Sequence, residues 1–193
     1  MAGYPNQQSP SGAIPAFPGG MPWVNIATST YTQIMSGPGT LSRLGVNTGG
    51  TSSSVEFFDG LSSAVTITLA SPAVFTWPAH DLTAGTAVRF TTTGALPTGL
   101  TAGTTYYVTN DVNLTANTFA VSDTKAHALA GTNQIDTSGS QSGVQTGWDV
   151  NNPIGTYSTT AQGSPDIGAM TTLGLIAVTA DGGGAANVTV FYV

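Results

Sequence analysis

The sequence predicts an all-β protein: a jelly-roll-like β-sandwich with an inserted small β-barrel or β-roll module and an extended N-terminal arm. Short runs of β-branched and aromatic residues recur along the chain, the strongest being TTYYVT at residues 104–109. Gly, Pro, Asn and Asp turn signals separate these runs, and no window keeps a helical periodicity. Hydrophobic residues make up 40% of the 193 residues, which is enough to build a core.

We interpret residues 1–23 as an extended, mobile arm. Prolines stand at positions 5, 10, 15, 18 and 22 among glycines, and no side chain of residues 1–22 is charged. Proline lacks the N–H that helices and strands need. Apolar side chains on such an arm suit a segment that orders against a partner, and the alternative is a dispensable disordered leader. The residues predicted to bind that partner are Tyr4, Ile14, Phe17, Met21 and Trp23.

The sandwich is assigned to residues 24–66 and 148–193. β-rich and alternating runs predict its strands over residues 26–35, 40–47, 54–60, 155–160, 173–179 and 187–193, with a turn over residues 163–166. The glycine run that follows Asp181 predicts a hairpin between the last two strands. The last strand must then reach across the inserted module to pair with the early strands.

The module is assigned to residues 67–147 and enters the sandwich after the turn Asp59-Gly60. Its predicted strands cover residues 87–91, 104–109 and 118–121, with turns at Pro and Gly between them. An insertion at a loop tip is tolerated because the entropy of loop closure grows slowly with loop length.

Two stretches carry a family resemblance. The run FTWPAHDLTAGTAVRFTTTGALPTGLTAGTTYYV, followed by ANTFAVS and IDTSGSQSG, resembles a β-module repeated across bacteriophage virion proteins. That module is often labelled as similar to a small β-domain of ubiquitin-activating enzymes, and it covers residues 72–146 here. It brings no catalytic role, and this chain has no Cys that could form a thioester.

The flanking segments carry the second resemblance. TSTYTQIMSGPGTLSRLGVNT and SSVEFFDG, then PIGTYSTT and GLIAVTADGGGAANVTVFYV, are similar to a short β-sandwich of small phage structural proteins. The two resemblances imply a capsid decoration or head-fibre protein, made late in the host cytoplasm and located on the outer surface of the virion. The implied partners are the major capsid protein and sister subunits, in a homotrimer.

Composition excludes several other classes of partner. Charged residues make up 6% of the chain, and its basic residues are Arg43, Arg89 and Lys125, so no basic stripe can follow a nucleic-acid backbone. No apolar run approaches the roughly 20 residues of a membrane-spanning helix, so we expect no membrane contact. A surface this poor in charge favours a protein whose surface is largely covered by neighbours.

No enzyme, cofactor or metal site is expected. Glu56 and Asp59 stand three apart on a predicted strand and so face opposite sides. His80 followed by an acid is better read as a turn-capping imidazole than as a catalytic base. His127 has only an aspartate at ligand spacing, and the glycine run after Asp181 offers a single carboxylate where calcium needs several oxygen ligands.

The alternative function is a receptor- or glycan-binding module of a tail fibre or baseplate. It requires an exposed aromatic ring beside Asn or Asp. The candidates are Trp23, Trp77 and Trp148, although core packing is the expected use of the last two. A depolymerase is a third hypothesis, but it needs two convergent carboxylates, and the acids here are scattered through turns.

Overall fold

The computed structural model describes residues 8–9, 12–13, 22–27, 30–50, 53–180 and 187–193. The predicted all-β class is confirmed, since strands dominate this part of the chain and a single short helix accompanies them. The elements, numbered along the chain, are β1 (Gln8–Ser9), β2 (Gly12–Ala13), β3 (Trp23–Ile26), β4 (Tyr31–Ser36), β5 (Gly39–Thr48), β6 (Ser54–Asp59), β7 (Ser62–Ile67), β8 (Phe75–Thr76), β9 (Ala87–Thr92), β10 (Thr105–Val108), β11 (Thr118–Phe119), β12 (Val121–Ser122), α1 (Lys125–Ala130), β13 (Gln145–Asp149), β14 (Pro153–Ser158), β15 (Asp166–Thr171), β16 (Gly174–Ala180) and β17 (Asn187–Tyr192).

Two four-stranded antiparallel sheets pack face to face as a sandwich. The front sheet has the strand order β15-β5-β17-β3, and the middle sheet has the order β14-β6-β16-β4. Strands alternate their side chains between faces, so every second residue points into the space between the sheets. The core between them is built from Ile26, Leu41, Leu44, Val46, Val188 and Val190 of the front sheet and Val55, Phe57, Leu175 and Ala177 of the middle sheet.

The third sheet, the module sheet, has seven strands in the order β11-β8-β7-β13-β9-β10-β12. Its two outermost strands, β11 and β12, are separated in the chain by Ala120 alone. The sheet must therefore curl until its edges almost meet, which gives a nearly closed barrel with its own core. Inside, Phe75 stacks on Phe90 and on Phe119, with ring centroids 4.6 and 5.5 Å apart.

The module sheet packs on the outer face of the middle sheet. Phe58, Ile176 and Val178 of the middle sheet meet Trp148 and Val150 in a second buried cluster. Every residue of the run from Leu175 to Val178 in β16 is buried, since odd positions face the front sheet and even positions face the module. Such an unbroken apolar run is typical of a strand covered on both faces.

Several sequence predictions match the observed strands. The runs over 40–47, 54–60, 87–91 and 104–109 correspond to β5, β6, β9 and β10 within two residues at each end. The last strand does reach across the module, because β17 pairs with β3 on one side and β5 on the other. The division at residues 66 and 148 stays a prediction; the strands nearest to it, β7 and β13, pair with each other in the module sheet.

The predicted hairpin near the C-terminus is wrong. β16 lies in the middle sheet between β6 and β4, whereas β17 lies in the front sheet between β5 and β3, so the two strands do not pair. The reason is burial: β16 is apolar on both sides and needs two covering layers, whereas β17 alternates and needs one. The glycine run that was expected to form the turn lies outside the described residues.

Three smaller predictions also need correction. The single strand expected over residues 26–35 is two strands, because the chain leaves the front sheet after β3 and enters the middle sheet at β4. The turn expected over 163–166 leads directly into β15, which was not predicted. The sequence predicted no helix, but residues 125–130 form α1, whose first turn is capped by Thr124 and whose C-cap is Gly131 with a φ of 70°.

Candidate interaction face of the front sheet

The module packs on the outer face of the middle sheet, and among the described residues no layer packs on the outer face of the front sheet. A row of directly opposed residues crosses all four of its strands: Trp23 in β3, Phe191 in β17, Arg43 in β5 and Asp166 in β15. Their neighbours along the strands point into the sandwich core, so this row points outwards.

A second outward row lies at the end of the sheet from which the N-terminal segment departs. Val193 and Thr40 exchange two backbone hydrogen bonds of 2.7 and 3.0 Å, and Thr40 is opposite Met170. The Met170 side chain is 81% exposed, Trp23 61% and Val193 40%. We call Trp23, Phe191, Val193 and Met170 the apolar end of this face.

Gly45 makes room for the half-buried Phe191 ring. A Cβ atom built on Gly45 would lie 3.6 Å from Cε2 of Phe191, so the ring rests over the glycine in ordinary van der Waals contact. The aromatic side chain is thereby held against the sheet on one side and open on the other.

The other half of the face is polar and held by amide hydrogen bonds. Asn25 and Asn47 donate from Nδ2 to the same Asn187 Oδ1, at 2.6 and 2.9 Å, and both also donate to Thr189 Oγ1, at 3.2 and 2.8 Å. These four side chains form the polar end. Because each Nδ2 is engaged within the sheet, the amide oxygens of Asn25 and Asn47 are left as acceptors for solvent or for a ligand.

Charges on this face are paired. Arg43 donates from Nε to Asp166 Oδ1 at 2.8 Å, with its side chain 23% exposed and that of Asp166 62% exposed. The pair adds no net charge, so the outward rows described above are neutral as well as partly apolar.

Of the five residues predicted to bind a partner, the structure describes Trp23. It belongs to strand β3, and the short strands β1 and β2 pair with each other at residues 8–9 and 12–13, so the described parts of the arm predicted over 1–23 contain strands that were not expected. Tyr4, Ile14, Phe17 and Met21 lie outside the described residues. Sequence reasoning missed Met170 because β15 was not predicted.

Phe191 and Val193 were also missed, although the sequence held a signal. The run NVTVFYV alternates, which places Phe191 and Val193 on the face opposite Val188 and Val190. Since the valines are fully buried, the other two had to point outwards.

The acidic residues weighed as catalytic candidates have structural partners. Asp59 accepts hydrogen bonds from the backbone N–H groups of Thr172, Leu173 and Gly174, at 2.8–3.1 Å, and from the Thr172 hydroxyl. Burial acts to raise the pKa of Asp59, but these donors outweigh it and hold the pKa below 3.8. Nearby Asp149 is mostly buried, which raises its pKa.

Glu56 lies between the middle sheet and the module. It accepts from Arg89 Nη1 at 3.0 Å, and the Arg89 guanidinium lies over the Phe58 ring, 5.5 Å from its centroid. Burial acts to lower the pKa of Arg89, but the hydrogen bonds to Glu56 and Tyr31 outweigh it and raise the pKa. Glu56 and Asp59 therefore serve different contacts, as their predicted positions on opposite sides of the strand imply.

His80 caps a turn, as the sequence interpretation favoured. Its Nδ1 accepts from the Leu82 N–H at 2.9 Å, so Nε2 carries the proton and donates to the Thr118 carbonyl at 3.3 Å. The ring also packs edge-on against Phe119. The second histidine, His127, lies 2.6 Å from Asp123 Oδ1 on an exposed turn of α1.

Trp77 and Trp148 are buried, as expected, whereas Trp23 remains available on the surface. Across the described ranges, no three His, Asp or Glu side chains gather in a way that could hold a metal ion. In the same part of the chain, no helix has the length and hydrophobicity needed to cross a bilayer.

A scan of protein-family models finds no match to this chain, and searches among curated proteins and among solved structures find none either.

Proposed function

We propose that the protein is a non-enzymatic structural component of a bacteriophage particle that decorates and stabilises the capsid. Its N-terminal arm and sandwich would lie on the major capsid protein and on sister subunits of a homotrimer, on the outer surface of the virion. The sequence resemblances suggest this role, and one structural observation carries it: the neutral, partly apolar outer face of the front sheet, at the point where the arm joins it.

The composition of this face suits a protein interface. Aromatic residues, Met and Arg are enriched in protein–protein interfaces, whereas unpaired charges are depleted at their centres. The apolar end supplies Trp23, Phe191 and Met170, and the one Arg is already paired with Asp166. A contact made only with the assembled shell stabilises that shell by mass action.

The middle sheet offers an internal precedent. Its outer face contributes Phe58 and Glu56 to a set that the module completes with Trp148 and with Arg89, which pairs with Glu56. Contact between the two layers leaves Phe58 and Trp148 almost fully buried. We infer that the similar side chains on the front sheet are covered by another layer in the assembled particle.

The test is add-back of purified protein to capsids that lack it. Burying a Met side chain contributes about 1.5–3 kcal/mol, so Met170→Glu should weaken capsid binding by about tenfold or more. The matched control is Val112→Glu, since Val112 is 95% exposed on the module and lies outside the front sheet.

Wild-type and Val112→Glu proteins are expected to bind to saturation and to raise the temperature at which the capsid breaks. Met170→Glu should do neither at the same concentration. If the wild-type protein does not bind, or if Met170→Glu binds as tightly as the control, the proposed role of this face is wrong.

A second candidate function is glycan binding, as in the receptor-binding module of a tail fibre or baseplate. It is favoured by the exposed Trp23 ring, which shares a face with Asn25 and the rest of the polar end. A ring that stacks on a sugar beside free amide oxygens is a common arrangement for carbohydrate recognition.

A glycan array separates the two functions. Glycan binding predicts a specific signal that Trp23→Ala and Asn25→Ala abolish and that Met170→Glu preserves. An array without signal, or a signal unaffected by Trp23→Ala, argues against it.

A further inference from the structure

We propose that the free edge of β3 pairs with the same edge of a second copy of the chain, antiparallel and about a twofold axis at Val24. The two four-stranded front sheets would then join into one continuous sheet. The pairing is separate from any contact that holds the proposed homotrimer. The inference goes beyond the proposed function, because it requires no capsid and is tested on the purified protein alone.

The four edge strands of the sandwich differ in regularity. β14, β15 and β4 each carry one residue more than the strand they pair with, at residues 153–155, 166–169 and 33–35. An extra residue bends an edge strand and hinders the addition of another strand. β3 has no such irregularity, since it pairs residue for residue with β17 over Trp23–Ile26. Among the described residues, no strand pairs with its other side.

The backbone groups on the free edge of β3 belong to Trp23 and Asn25. The Tyr192 N–H donates to the Pro22 carbonyl at 3.1 Å, so the backbone of Pro22 faces β17. Backbone groups alternate between the two sides of a strand, so those of Val24 also face β17. The N–H and C=O groups of Trp23 and Asn25 therefore point to the free edge, where no described residue hydrogen-bonds to them. The N–H that Pro22 lacks is on the β17 side, so the free edge loses no donor.

A twofold axis at Val24 satisfies all of these outward groups. It places Trp23 opposite Asn25 of the second copy, and such a pair exchanges both backbone hydrogen bonds. The symmetry repeats the exchange on the other side of the axis. An axis at Asn25 would instead leave Trp23 opposite Ala27, which lies beyond the end of β3. The axis at Val24 is therefore the one that β3 can complete with its own residues.

The side chains of β3 suit contact with a copy of themselves. Val24 and Ile26 point into the sandwich core, and alternation places Pro22 on the same side. Across the axis Val24 would meet its own copy and Ile26 would meet Pro22, which extends the apolar core from one subunit into the next. Like charges directly opposite each other destabilise paired strands. No residue from 22 to 27 is charged, so twofold symmetry opposes no like charges.

A single cysteine tests the position of the axis, because the chain contains no Cys. Val24 and its copy would be directly opposed without hydrogen bonds between them, which sets their Cα atoms about 4.5 Å apart, within reach of a disulfide. Val24→Cys should therefore form a disulfide-linked dimer under mild oxidation. Ile167→Cys is the matched control, since Ile167 is half-buried against the same core but lies on the irregular edge strand β15. It should not form the dimer.

Proline substitution tests the hydrogen bonds. Asn25→Pro removes an outward N–H from each copy and leaves the bonds to β17 in place, whereas Asn25→Ala removes the same side chain and keeps the N–H. In analytical ultracentrifugation, the mass of the wild-type protein and of Asn25→Ala should double reversibly as the concentration rises. Asn25→Pro should dimerise about tenfold more weakly or worse. Near-ultraviolet circular dichroism checks that both variants are folded.

The outcomes decide the proposal. A disulfide dimer from Val24→Cys and none from Ile167→Cys, with weakened association of Asn25→Pro, supports it. A dimer linked through Asn25→Cys and not through Val24→Cys would place the axis elsewhere and overturn the stated register. Association that Asn25→Pro leaves unchanged would overturn the pairing, as would a wild-type protein that never associates and a Val24→Cys variant that forms no dimer. Capsid add-back with Met170→Glu leaves β3 unchanged, so the two proposals can fail separately.

Discussion

The two outer faces of the sandwich have similar chemistry and different surroundings. The covered face, on the middle sheet, places Phe58 and Glu56 against Arg89 of the module, which pairs with Glu56. The open face, on the front sheet, places Phe191 beside Arg43 and its partner Asp166. The difference teaches that residue type alone does not bury a sheet face, since burial depends on which layer the chain can fold back onto it.

The connection decides which face is covered. β6 passes directly into β7 of the module through Gly60, and β13 returns through a short link to β14, so the module is attached to the middle sheet at both ends. A Cβ on Gly60 would clash with the carbonyl oxygen of Asp149, which shows how closely the two links approach. The front sheet has no such attachment to the module.

The largest expected effect is loss of the covered cluster. Phe58→Ala removes a buried ring from between two layers and should destabilise the protein by about 3–5 kcal/mol. The matched change on the open face, Phe191→Ala, should cost less than half as much because the ring is half-buried. Urea denaturation, followed by near-ultraviolet circular dichroism, measures both; equal losses would contradict the comparison.

The two Arg–carboxylate pairs should also differ in how much they stabilise the protein. Glu56→Gln leaves the half-buried Arg89 without its carboxylate and should cost about 1–3 kcal/mol. Asp166→Asn on the open face should cost about 0.5 kcal/mol or less, since exposed ion pairs contribute little. Added salt should reduce the stability lost in Asp166→Asn and leave most of the stability lost in Glu56→Gln. Thermal denaturation measures both losses, and the reverse dependence on salt would contradict the stronger contribution assigned to the Glu56–Arg89 pair.

A smaller effect is expected at Asp59, which ties the link between β15 and β16 to the end of β6. Removing its hydrogen bonds in Asp59→Ala should cost about 1 kcal/mol, allowing for the partial exposure of the carboxylate. The pKa of Asp59 is lowered in the folded state. Its contribution is therefore complete above 3.8, the value for the unfolded chain, and is lost as the pH falls through the folded pKa.

The contribution of Asp149 to stability changes with pH in the opposite direction. Its pKa is raised by burial, so its contribution is complete below 3.8 and is lost as the pH rises through the folded pKa. As the pH is lowered, protonation of Asp149 should stabilise the wild-type protein, and this gain should be missing in Asp149→Asn. At still lower pH, protonation of Asp59 should destabilise the wild-type protein, and this loss should be missing in Asp59→Asn. Denaturation midpoints measured from pH 7 to pH 2 check both signs, and unchanged profiles would count against these assignments.

The smallest expected effect on stability is at the apolar end. Met170→Ser changes an exposed side chain and should alter the free energy of unfolding by no more than about 0.5 kcal/mol. A loss above 1 kcal/mol would contradict the exposure of Met170 in the isolated subunit. Val112→Ser on the module is the matched control for an exposed apolar residue.

Much of the local structure could be predicted because strand and turn signals are local. TTYYV predicts β10 from its own residue types, and TLSRLGVN predicts β5 in the same way. Trp77 and Trp148 were also predicted to be buried, and both are. Of the residues at the apolar end of the candidate face, only Trp23 was predicted from the sequence to bind a partner.

The rest depended on pairing between distant segments. The hairpin between β16 and β17 was inferred from their closeness in sequence, but each strand joined the sheet that could bury its apolar faces. Met170 became part of the face because β15 pairs with β5, more than a hundred residues earlier in the chain. No local pattern in DIGAMT indicated that partner.

The sequence by itself determined the all-β class, the positions of most strands and the low charge of the chain, because these properties follow from residue type and short-range spacing. Only the tertiary structure decided which strands share a sheet, which outer face the module covers and which residues meet on the open one. Those outcomes depend on contacts between segments far apart in the chain, where burial of whole sheet faces outweighs the preference of any single strand.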